Sequence, residues 1–569
     1  MFPSKFSVSI IVLLCTAISP CFSDSWSADP FVDMAAEEES SWTSFSFELK
    51  DRVDVLVDAT GTFYNDDWIA RAWILDSDSR RLVWEMTEDN SKKSGRKGKR
   101  RFYDELNLPR GRYEAYFSTN HITDIHIEGL SDVIDGIFRG FNYKSRFDKD
   151  WGISIYLPKD KTDLYAPFDA ESGTNEIVRL TEVENDEHVK AGFSVNKEIS
   201  VRVYSVCEGR TKSREMYDYG WIIDADTRQQ VWQADIRKSE NAGGSTKNRL
   251  FDETLTLKPG NYVVHFITDD SHSFEEFNQM PPYDPRHWGI TLWAQSGDFQ
   301  DVEITPYEES EPEAVVNLTS VGDEELVSAG FTLAQNTKFR VYALGEQPHS
   351  NREFVDYGWI ENAGTKEVVW KMTEENSTHA GGGNKNRVAD QVIELPAGNY
   401  MVYYITDDSH SYDEWNAGPP IDPERWGITL WLADSTLSSD VVQPYTEEDD
   451  PSILAKITKV GDDEHLHKTF TLKEDRAVRI FALGEGDRDE MYDYGWIEDR
   501  DGEVIWEMHY ENTSHAGGAR KNRLVNETIE LDAGTYEVFY SSDGSHSFAE
   551  WNATPPGNPA DWGITISLE

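Results

Sequence analysis

Residues 380–431 read AGGGNKNRVADQVIELPAGNYMVYYITDDSHSYDEWNAGPPIDPERWGITLW, and near-copies of this stretch occupy residues 242–293 and 516–566. Around each copy the same landmarks return in the same order, and the preceding Trp221, Trp359 and Trp496 recur at nearly constant spacing. Self-similarity at a fixed period is typical of a chain built from one supersecondary unit used several times. The stretch therefore predicts a tandem array of similar domains.

A fourth, degenerate copy precedes these three. It keeps Trp73, Trp84, Tyr113 and Trp151 but lacks the Asp-Asp-Ser-His-Ser, Trp-Asn and Pro-Pro segments. A chain of 569 residues is too long for one hydrophobic core, so several domains are expected. We predict a leader at residues 24–40 that is flexible, followed by repeat 1 (41–158), repeat 2 (176–295), repeat 3 (314–433) and repeat 4 (453–569), separated by short extended linkers.

Within a repeat, apolar residues alternate with a period of two, which indicates half-buried strands. Tyr400, Val402 and Tyr404 are predicted to face the core, whereas the intervening position, Met401 in repeat 3 and Glu537 in repeat 4, is predicted to face solvent. Aspartate and glycine turns separate the strands. The fold class predicted is all-β, with four tandem antiparallel β-sandwich domains of jelly-roll type.

Two features belong to repeat 1 alone. Residues 129–141 place apolar side chains at helical spacing, which predicts a short amphipathic helix that serves either as a flap over its own sandwich or as a partner or membrane helix. Residues 92–101 form a basic run in a hairpin loop. That run is suited to a polyanion, to an acidic part of the same chain, or simply to solvent.

The net charge of −51 disfavours nucleic acid and anionic membranes as partners. Cations, basic partners or a solubilising acidic coat fit this charge better. Residues 1–23 have the pattern of a secretory signal, with an apolar run too short for a membrane span. We therefore expect a secreted protein, extracellular or periplasmic, in which only Cys207 remains after cleavage and no intrachain disulfide forms.

The sequence Asp407-Asp408-Ser409-His410-Ser411 contains the residue types of a catalytic triad. Adjacent residues on a turn rarely bring a nucleophile, a base and an orienting acid into contact. The chain contains neither the Gly-x-Ser-x-Gly nor the His-Glu-x-x-His motif. We predict a non-catalytic protein, and a secreted hydrolase stays the less favoured alternative.

The segments that repeat 1 lacks are dispensable for the sandwich and lie in loops, where binding residues tend to occur. They are the predicted ligand site, although the insertion in repeat 1 could equally have replaced them as packing. The predicted site residues are Lys247, Asn248, Arg249, Asp269, His272 and Asn278 in repeat 2, Lys385, Asn386, Arg387, Asp407, His410, Trp415 and Asn416 in repeat 3, and Lys521, Asn522, Arg523, Asp543, His546, Trp551 and Asn552 in repeat 4.

Calcium is the one metal that the composition favours, because it requires six to eight oxygen ligands. Asp269 with Asp270, and Asp407 with Asp408, are the predicted ligands, although repeat 4 has Asp543-Gly544 in place of the pair. One histidine per repeat is too few for a transition metal. No other cofactor is predicted.

The expected partner is an extracellular glycan or protein. A tryptophan next to asparagine, as at Trp415-Asn416 and Trp551-Asn552, offers a flat apolar face beside directional hydrogen bonds. The alternative is that these aromatic residues pin the loop to the sandwich. The two main hypotheses are therefore a binding or adhesion protein and a structural spacer or matrix protein stabilised by calcium.

The order of strands, the Val-Trp pair and the segment from Leu395 to Tyr400, Leu-Pro-Ala-Gly-Asn-Tyr, resemble bacterial pre-peptidase C-terminal domains. The resemblance implies a β-sandwich of the kind appended to exported enzymes, with a role in secretion or substrate binding. The Ser-His-Ser, Trp-Asn and Trp-Gly-Ile-Thr segments depart from that family's pattern.

Overall fold

The structure is a computed structural model of the chain. It describes residues 25–36, 41–64, 67–95, 98–120, 148–169, 175–295, 302–309, 314–348, 353–433, 441–488 and 490–569. The predicted signal at 1–23, the predicted helix at 129–141 and part of the basic run fall outside these ranges. The chain divides into two compact units, Met1–Glu309 with repeats 1 and 2, and Ser310–Glu569 with repeats 3 and 4.

The described residues form an all-β protein, which confirms the predicted class. In repeat 1 the strands are β1 (Val32–Ala35), β2 (Trp42–Leu49), β3 (Val53–Tyr64), β4 (Asp67–Asp76), β5 (Arg81–Glu85), β6 (Lys92–Lys93), β7 (Lys99–Leu108), β8 (Gly111–Thr119), β9 (Gly152–Tyr156) and β10 (Tyr165–Pro167). In repeat 2 they are β11 (Glu176–Thr181), β12 (His188–Val195), β13 (Ile199–Arg210), β14 (Glu215–Asp224), β15 (Gln230–Gln233), β16 (Glu240–Asn241), β17 (Asn248–Leu257), β18 (Gly260–Ile267), β19 (Gly289–Ala294) and β20 (Ile304–Tyr307).

The second unit repeats this order. Repeat 3 contains β21 (Val316–Leu318), β22 (Leu326–Leu333), β23 (Thr337–Glu346), β24 (Tyr357–Asn362), β25 (Val368–Lys371), β26 (Thr378–His379), β27 (Asn386–Leu395), β28 (Gly398–Ile405), β29 (Gly427–Leu432) and β30 (Val442–Tyr445). Repeat 4 contains β31 (Ile453–Thr458), β32 (His465–Leu472), β33 (Arg476–Gly486), β34 (Met491–Glu498), β35 (Val504–Glu507), β36 (Ser514–His515), β37 (Asn522–Leu531), β38 (Gly534–Ser541) and β39 (Gly563–Leu568).

Helical structure among the described residues is limited to short 3-10 turns, and no described helix is long and apolar enough to cross a membrane. These turns span Thr162–Leu164, Ile236–Lys238, Pro285–His287, Pro423–Arg425, Glu447–Asp449, Tyr510–Asn512 and Pro559–Asp561.

Repeat 3 illustrates the sandwich. One sheet has the order β21-β29-β23-β27-β26 and the other β25-β24-β28-β22-β30. In repeats 2 and 4 the two layers join at one end. There β13 pairs with β14, and β33 with β34, across a bulged hairpin. Phe339, Tyr400 and Val402 are at most 1% exposed between the layers, which confirms the predicted inward face.

Three sequence predictions need correction. The predicted linkers contain β10, β20 and β30, which pair antiparallel with β2, β12 and β22, so repeats 1, 2 and 3 extend beyond their predicted bounds. The leader contains β1, which pairs antiparallel with β9, so it is not irregular along its whole length. The intervening position between the core residues of β28 does not face solvent. Met401 is only 8% exposed, because it belongs to a hydrophobic cluster that includes Ala560 of repeat 4. Glu537, the counterpart in repeat 4, is half-buried.

Candidate metal centre

Three carboxylate clusters, each with two buried members and one half-buried member, recur at one end of repeats 2, 3 and 4. In repeat 2 the members are Glu208 at the end of β13, Asp218 on β14 and Asp269 just after β18, and one oxygen of each lies within 4.8 Å of the others. Oxygens that share one calcium ion at about 2.4 Å are separated by at most about 4.8 Å. The equivalent clusters are Glu346, Asp356 and Asp407, and Glu485, Asp493 and Asp543.

The sheet itself brings these side chains together. Glu208 lies directly opposite Asp218 across the β13–β14 hairpin. One carboxylate oxygen of Asp218 accepts the backbone N–H of Asp269 at 2.9 Å, and the other accepts the indole N–H of Trp288 at 3.1 Å. Asp218 thereby fixes the start of the loop that carries Asp269. The aspartates Asp356 and Asp493 make the same two bonds in their repeats.

The charge within each cluster is only partly balanced. Lys247 places its ammonium nitrogen 3.1 Å from Oε1 of Glu208, and the equivalent lysines Lys385 and Lys521 lie 3.1 and 3.0 Å from their glutamates. When all three carboxylates are ionised, one ammonium leaves two negative charges. A divalent cation would neutralise them.

The second oxygen of each glutamate is buried and has no hydrogen-bond partner. These atoms are Oε2 of Glu208, Glu346 and Glu485, and the residues are 3%, 4% and 5% exposed. A buried carboxylate oxygen without a partner is costly. The same vacant acceptor in three repeats is the strongest indication of a bound cation.

Burial raises the pKa of the cluster carboxyl groups. It raises the pKa of Glu208, Asp218 and Asp269 in repeat 2, where Lys247 opposes the effect at Glu208. In repeat 4 burial raises the pKa of Asp493 to about 7, with the neighbouring acids Asp543 and Glu485 contributing. Like charges gathered in a low-dielectric site favour either a proton or a metal ion.

Further oxygens without partners lie close by. Oδ1 of Asp323 and Oγ of Ser411 are buried and unpartnered in repeat 3, and the charge of Asp323 raises the pKa of both Glu346 and Asp407. In repeat 2 the counterparts Asn185 and Ser273 also have unpartnered oxygens. Carboxylate, amide and hydroxyl oxygens of this kind complete the coordination shell that calcium requires.

The structure separates the four predicted calcium ligands into two pairs. Asp269 and Asp407 belong to clusters, but Asp270 and Asp408 are exposed and lie outside them. The replacement Asp543-Gly544 does not weaken the case in repeat 4, because Asp543 is the member that the cluster uses. The sequence analysis missed the glutamate and the first aspartate of each cluster, namely Glu208, Asp218, Glu346, Asp356, Glu485 and Asp493.

A sequence signal for these residues existed. Each complete repeat has Asp three residues before its strand tryptophan, as in Asp218-Tyr219-Gly220-Trp221, whereas repeat 1 has Ala70 before Trp73. Repeat 1 also has Thr62 in place of the glutamate, and Trp151 donates its indole N–H to that hydroxyl at 3.0 Å. Repeat 1 thus forms the same sandwich without the acidic cluster.

Asparagine and histidine, predicted as ligand-binding residues, instead form a buried lock. Asn248 and His272 are fully buried, and Nε2 of His272 lies 2.6 Å from Oδ1 of Asn248. The amide of Asn248 donates to the carbonyl oxygens of Gly243 and Met280. The ligand assignment is corrected for these residues and for the equivalents Asn386, His410, Asn522 and His546, which make the same 2.6 Å contact.

The predicted arginines also act within the domain. Arg249 donates to the hydroxyl and carbonyl of Ser239, and Arg387 and Arg523 make equivalent bonds to Ser377 and Thr513. Repeat 1 keeps this residue as Arg100, bonded to Ser91. The arginine therefore supports the hairpin in all four repeats, and its ligand assignment is corrected.

The loop tryptophans pack inward. The ring of Trp415 lies 5.1 Å from His410 and 5.1 Å from Trp426, both edge-on, and Trp551 repeats this arrangement. The side-chain oxygen of Asn278 accepts a hydrogen bond from the ammonium of Lys247 at 2.7 Å, and that of Asn552 accepts one from Lys521 at 2.6 Å. These contacts favour the alternative in which the aromatic residues hold the loop against the sandwich, rather than one in which they offer a free face to a ligand. Asn416 follows Trp415 directly in the same loop.

Among the described residues, one other group of three carboxylates already contains a cation, the ammonium of Lys366. Glu361, Glu447 and Asp561 lie together in the second unit, and the ammonium of Lys366 contacts them at 3.0, 2.5 and 3.3 Å. This ammonium fills the centre of the group. We therefore do not count it among the candidate metal centres.

No family model matches the chain, and no curated protein matches it. Among solved structures, the CUB1-EGF-CUB2 domain of human MASP-1/3 shows 14% identity over 44% of this chain and 96% of its own, with a TM-score of 0.13. The rat MASP-1 CUB1-EGF-CUB2 domains show 11% identity over 44% and 94%, with a TM-score of 0.14. The CBM32-1, CBM32-2 and M60 catalytic domains of Clostridium perfringens ZmpB show 8% identity over 66% and 51%, with a TM-score of 0.12. Likeness at these scores carries no argument about this chain.

Proposed function

We propose that this chain is an exported, non-catalytic binding protein in which repeats 2, 3 and 4 each hold one calcium ion that orders the loops at one end of the sandwich. The observation that carries the proposal is the buried glutamate oxygen without a partner, repeated in Glu208, Glu346 and Glu485. In each repeat this glutamate clusters with two aspartates, and one lysine ammonium offsets only one of the three carboxylate charges when all are ionised.

Calcium fits this donor set better than other metals. The clustered donors are carboxylate oxygens, and zinc and copper sites in proteins are built mainly from histidine and cysteine. The buried His272 points both ring nitrogens at asparagines, so it does not serve as a ligand. Magnesium demands a near-ideal octahedron, whereas calcium accepts the larger and irregular shell that these loops offer.

The position of the cluster links the ion to binding. Its third member, Asp269, is half-buried, so a cation held there remains reachable from solvent. It also begins the loop that runs through His272 to Trp288. An ion bound to the hairpin and to this loop fixes both, and loops held on a rigid sandwich are where binding sites usually form.

The histidine geometry supports a non-catalytic role. The ring of His272 is fully buried, and burial lowers its pKa well below the usual range. Its hydrogen bonds go to Asn248 and Asn278, and a general base would instead face a nucleophile. The ligand class that we propose is an extracellular glycan or protein.

Binding of the full chain to a glycan array and to immobilised extracellular matrix proteins, in calcium and in EGTA, tests this proposal. We expect retention that requires calcium and that is lost in the triple variant Glu208→Gln, Glu346→Gln, Glu485→Gln. The matched control carries Asp270→Asn and Asp408→Asn at exposed sites beside the clusters. Retention that is the same in EGTA as in calcium, and the same for the triple variant as for the unmodified chain, would contradict the proposal.

A further inference from the structure

The repeats of each compact unit dock through one recurrent face. This outer face is the side of the second sheet that points away from the sandwich core. In repeat 1 it carries Trp73 and Tyr116, whose rings stack at 5.4 Å. Repeat 2 covers it: the indole N–H of Trp73 donates to the carbonyl of Tyr283 at 2.6 Å. In repeat 3 the equivalent Trp359 is fully buried, in one cluster with Ala560 of repeat 4.

A cation completes each docked face. Arg80 lies between Glu114 of its own repeat, at 2.5 Å, and Asp284 of repeat 2, at 2.7 Å from the guanidinium Nε. Lys366 lies between Glu361 of its own repeat and Asp561 of repeat 4. Both ion pairs are almost fully buried, and breaking such a pair leaves an uncompensated charge. The cation therefore contributes to the contact between the two repeats of a unit.

Repeat 4 has no cation at this position. Arg80, Arg228 and Lys366 each stand four residues before the Val-Trp tryptophan and have positive φ angles of 60°, 60° and 56°. Residues with a side chain rarely adopt this conformation, which fits a specific role for the cation. The corresponding residue of repeat 4 is Gly502, with φ of 81°.

The outer face of repeat 4 is accordingly open. The rings of Trp496 and Phe539 stack at 5.0 Å with an interplanar angle of 5°, and both residues are half-buried, whereas Trp73 and Trp359 are fully buried. His467, exposed, lies beside Phe539. We name Trp496, Phe539, Glu498 and Glu537 the platform.

The platform presents two facing acids, and repeat 4 has a glycine where repeats 1 and 3 have an arginine or a lysine. Glu537 occupies the position of Glu114, and Glu498 lies directly opposite it in the strand register. In repeat 1 Arg80 neutralises Glu114. In the described part of repeat 4, Glu537 contacts His467 at 2.5 Å, Glu498 accepts a hydrogen bond from Nε1 of Trp496 at 2.9 Å, and Gly502 stands where repeat 1 has Arg80. Facing carboxylates repel one another unless a cation lies between them. The missing group is a guanidinium or an ammonium.

We propose that the platform binds an arginine- or lysine-bearing segment of a partner protein. The contacts that such a side chain would make already exist in repeat 1, where Arg80 binds Glu114 and the guanidinium of Arg71 lies 5.9 Å from the centre of the Trp73 ring. In repeat 4 the partner supplies the cation from outside, between Glu498 and Glu537 and over Trp496. The net charge of −51 attracts basic partners from a distance.

The test uses the full chain with calcium and a fluorescent peptide, Gly-Arg-Gly-Arg-Gly amide, with a citrulline version as the neutral control. We expect saturable binding of the arginine peptide that weakens with salt, and at least about tenfold weaker binding by Glu537→Gln, since a charge-assisted bond is lost. Glu530→Gln, exposed on the other sheet, serves as the matched control.

Gly502→Arg gives a second, independent readout. A Cβ at Gly502 meets open space, so an arginine fits there, at the position from which Arg80 reaches Glu114 in repeat 1. We expect it to abolish peptide binding, whereas Gly502→Ala, which has the same backbone strain and no charge, retains binding. Peptide binding that survives Gly502→Arg, equal binding of the citrulline peptide, or binding of an uncharged oligosaccharide in place of the peptide would overturn the proposal.

The triple glutamine variant at the calcium clusters separates the two proposals. Peptide binding that persists in that variant identifies the platform as a site of its own. Peptide binding that disappears with calcium or with the cluster glutamates, while Glu537→Gln has no effect, would assign it to the clusters and overturn the platform proposal.

Discussion

The ammonium nitrogen of Lys247 lies 3.1 Å from Oε1 of Glu208, while Oε2 of the same carboxylate is buried without a partner. The lysine therefore neutralises one member of a three-carboxylate cluster and leaves the rest of the site to another cation. The same relationship between Lys385 and Glu346, and between Lys521 and Glu485, makes the arrangement a property of the repeat.

Glu346→Gln should remove the calcium response of repeat 3 and stabilise the calcium-free protein. Glutamine removes one of the repelling charges and can still accept the bond from Lys385. In the unmodified chain, calcium at about 100 times its dissociation constant should stabilise each site by about 2.7 kcal/mol. Thermal unfolding in calcium and in EGTA measures both effects.

Asp408→Asn is the control for this prediction, because Asp408 is exposed beside the cluster. It should leave both melting curves unchanged. A Glu346→Gln protein that melts earlier than the unmodified chain in EGTA would indicate a purely structural carboxylate.

The contribution of the carboxylate clusters to stability should depend on pH chiefly in the calcium-free protein. Burial raises the folded-state pKa of Asp493 to about 7, above the unfolded value of about 3.9. The folded state then holds the extra proton, so this contribution is fully present below pH about 4 and is lost as pH rises through about 7. Calcium replaces the proton and should remove the loss.

Melting temperatures of the chain in EGTA, measured from acid to mildly alkaline pH, test this sign. We expect the transition assigned to repeat 4 to fall as the pH rises, and Glu485→Gln to reduce the fall because Glu485 contributes to the raised pKa. A transition in EGTA that rises with pH over this interval would contradict the account.

His410→Ala should destabilise repeat 3 by about 2–4 kcal/mol, because it empties a buried site and leaves the amide oxygen of Asn386 without its partner. His379→Ala, exposed in the same repeat, removes surface hydrogen bonds to the backbone of Gly381 and Gly383 and should cost no more than about 1 kcal/mol. Chemical unfolding of both variants measures the difference. Equal stability of the two would return His410 to the candidate ligand residues.

The sequence predicted the sandwich because burial follows a period of two along strands such as β38, where buried Tyr536, Val538 and Tyr540 alternate with half-buried Glu537 and Phe539. In repeat 3 the equivalent Tyr400, Val402 and Tyr404 are also buried, which confirms the inward face. The dispensable loop segments misled the site prediction. Repeat 1 lacks these segments, but in repeat 2 they have structural roles. Asn248 forms a buried hydrogen bond with His272, and Asp284 binds Arg80 of repeat 1.

The carboxylate cluster was harder to predict from sequence. Glu208 and Asp269 are far apart along the chain and meet only because a hairpin and a neighbouring strand end at the same place. Each acid by itself resembles a turn or surface residue. Comparison of Asp218 with Ala70 at the equivalent position of repeat 1 was the available signal.

Lys366→Met should destabilise the second unit by about 3–5 kcal/mol. It removes the cation from Glu361, Glu447 and Asp561 and leaves buried carboxylates facing one another. Lys338→Met, exposed on β23, is the matched control and should be nearly neutral. Calorimetry of both variants checks this, and a neutral effect of Lys366→Met would show that the cluster does not hold repeats 3 and 4 together.

Calcium stoichiometry tests the central claim most directly. Equilibrium dialysis of the full chain, followed by the single, double and triple glutamine variants at Glu208, Glu346 and Glu485, counts the ions that depend on these residues. We expect each substitution to remove one bound calcium ion, so that the triple variant binds three fewer than the unmodified chain. A calcium content that is the same in the triple variant and the unmodified chain would contradict the account.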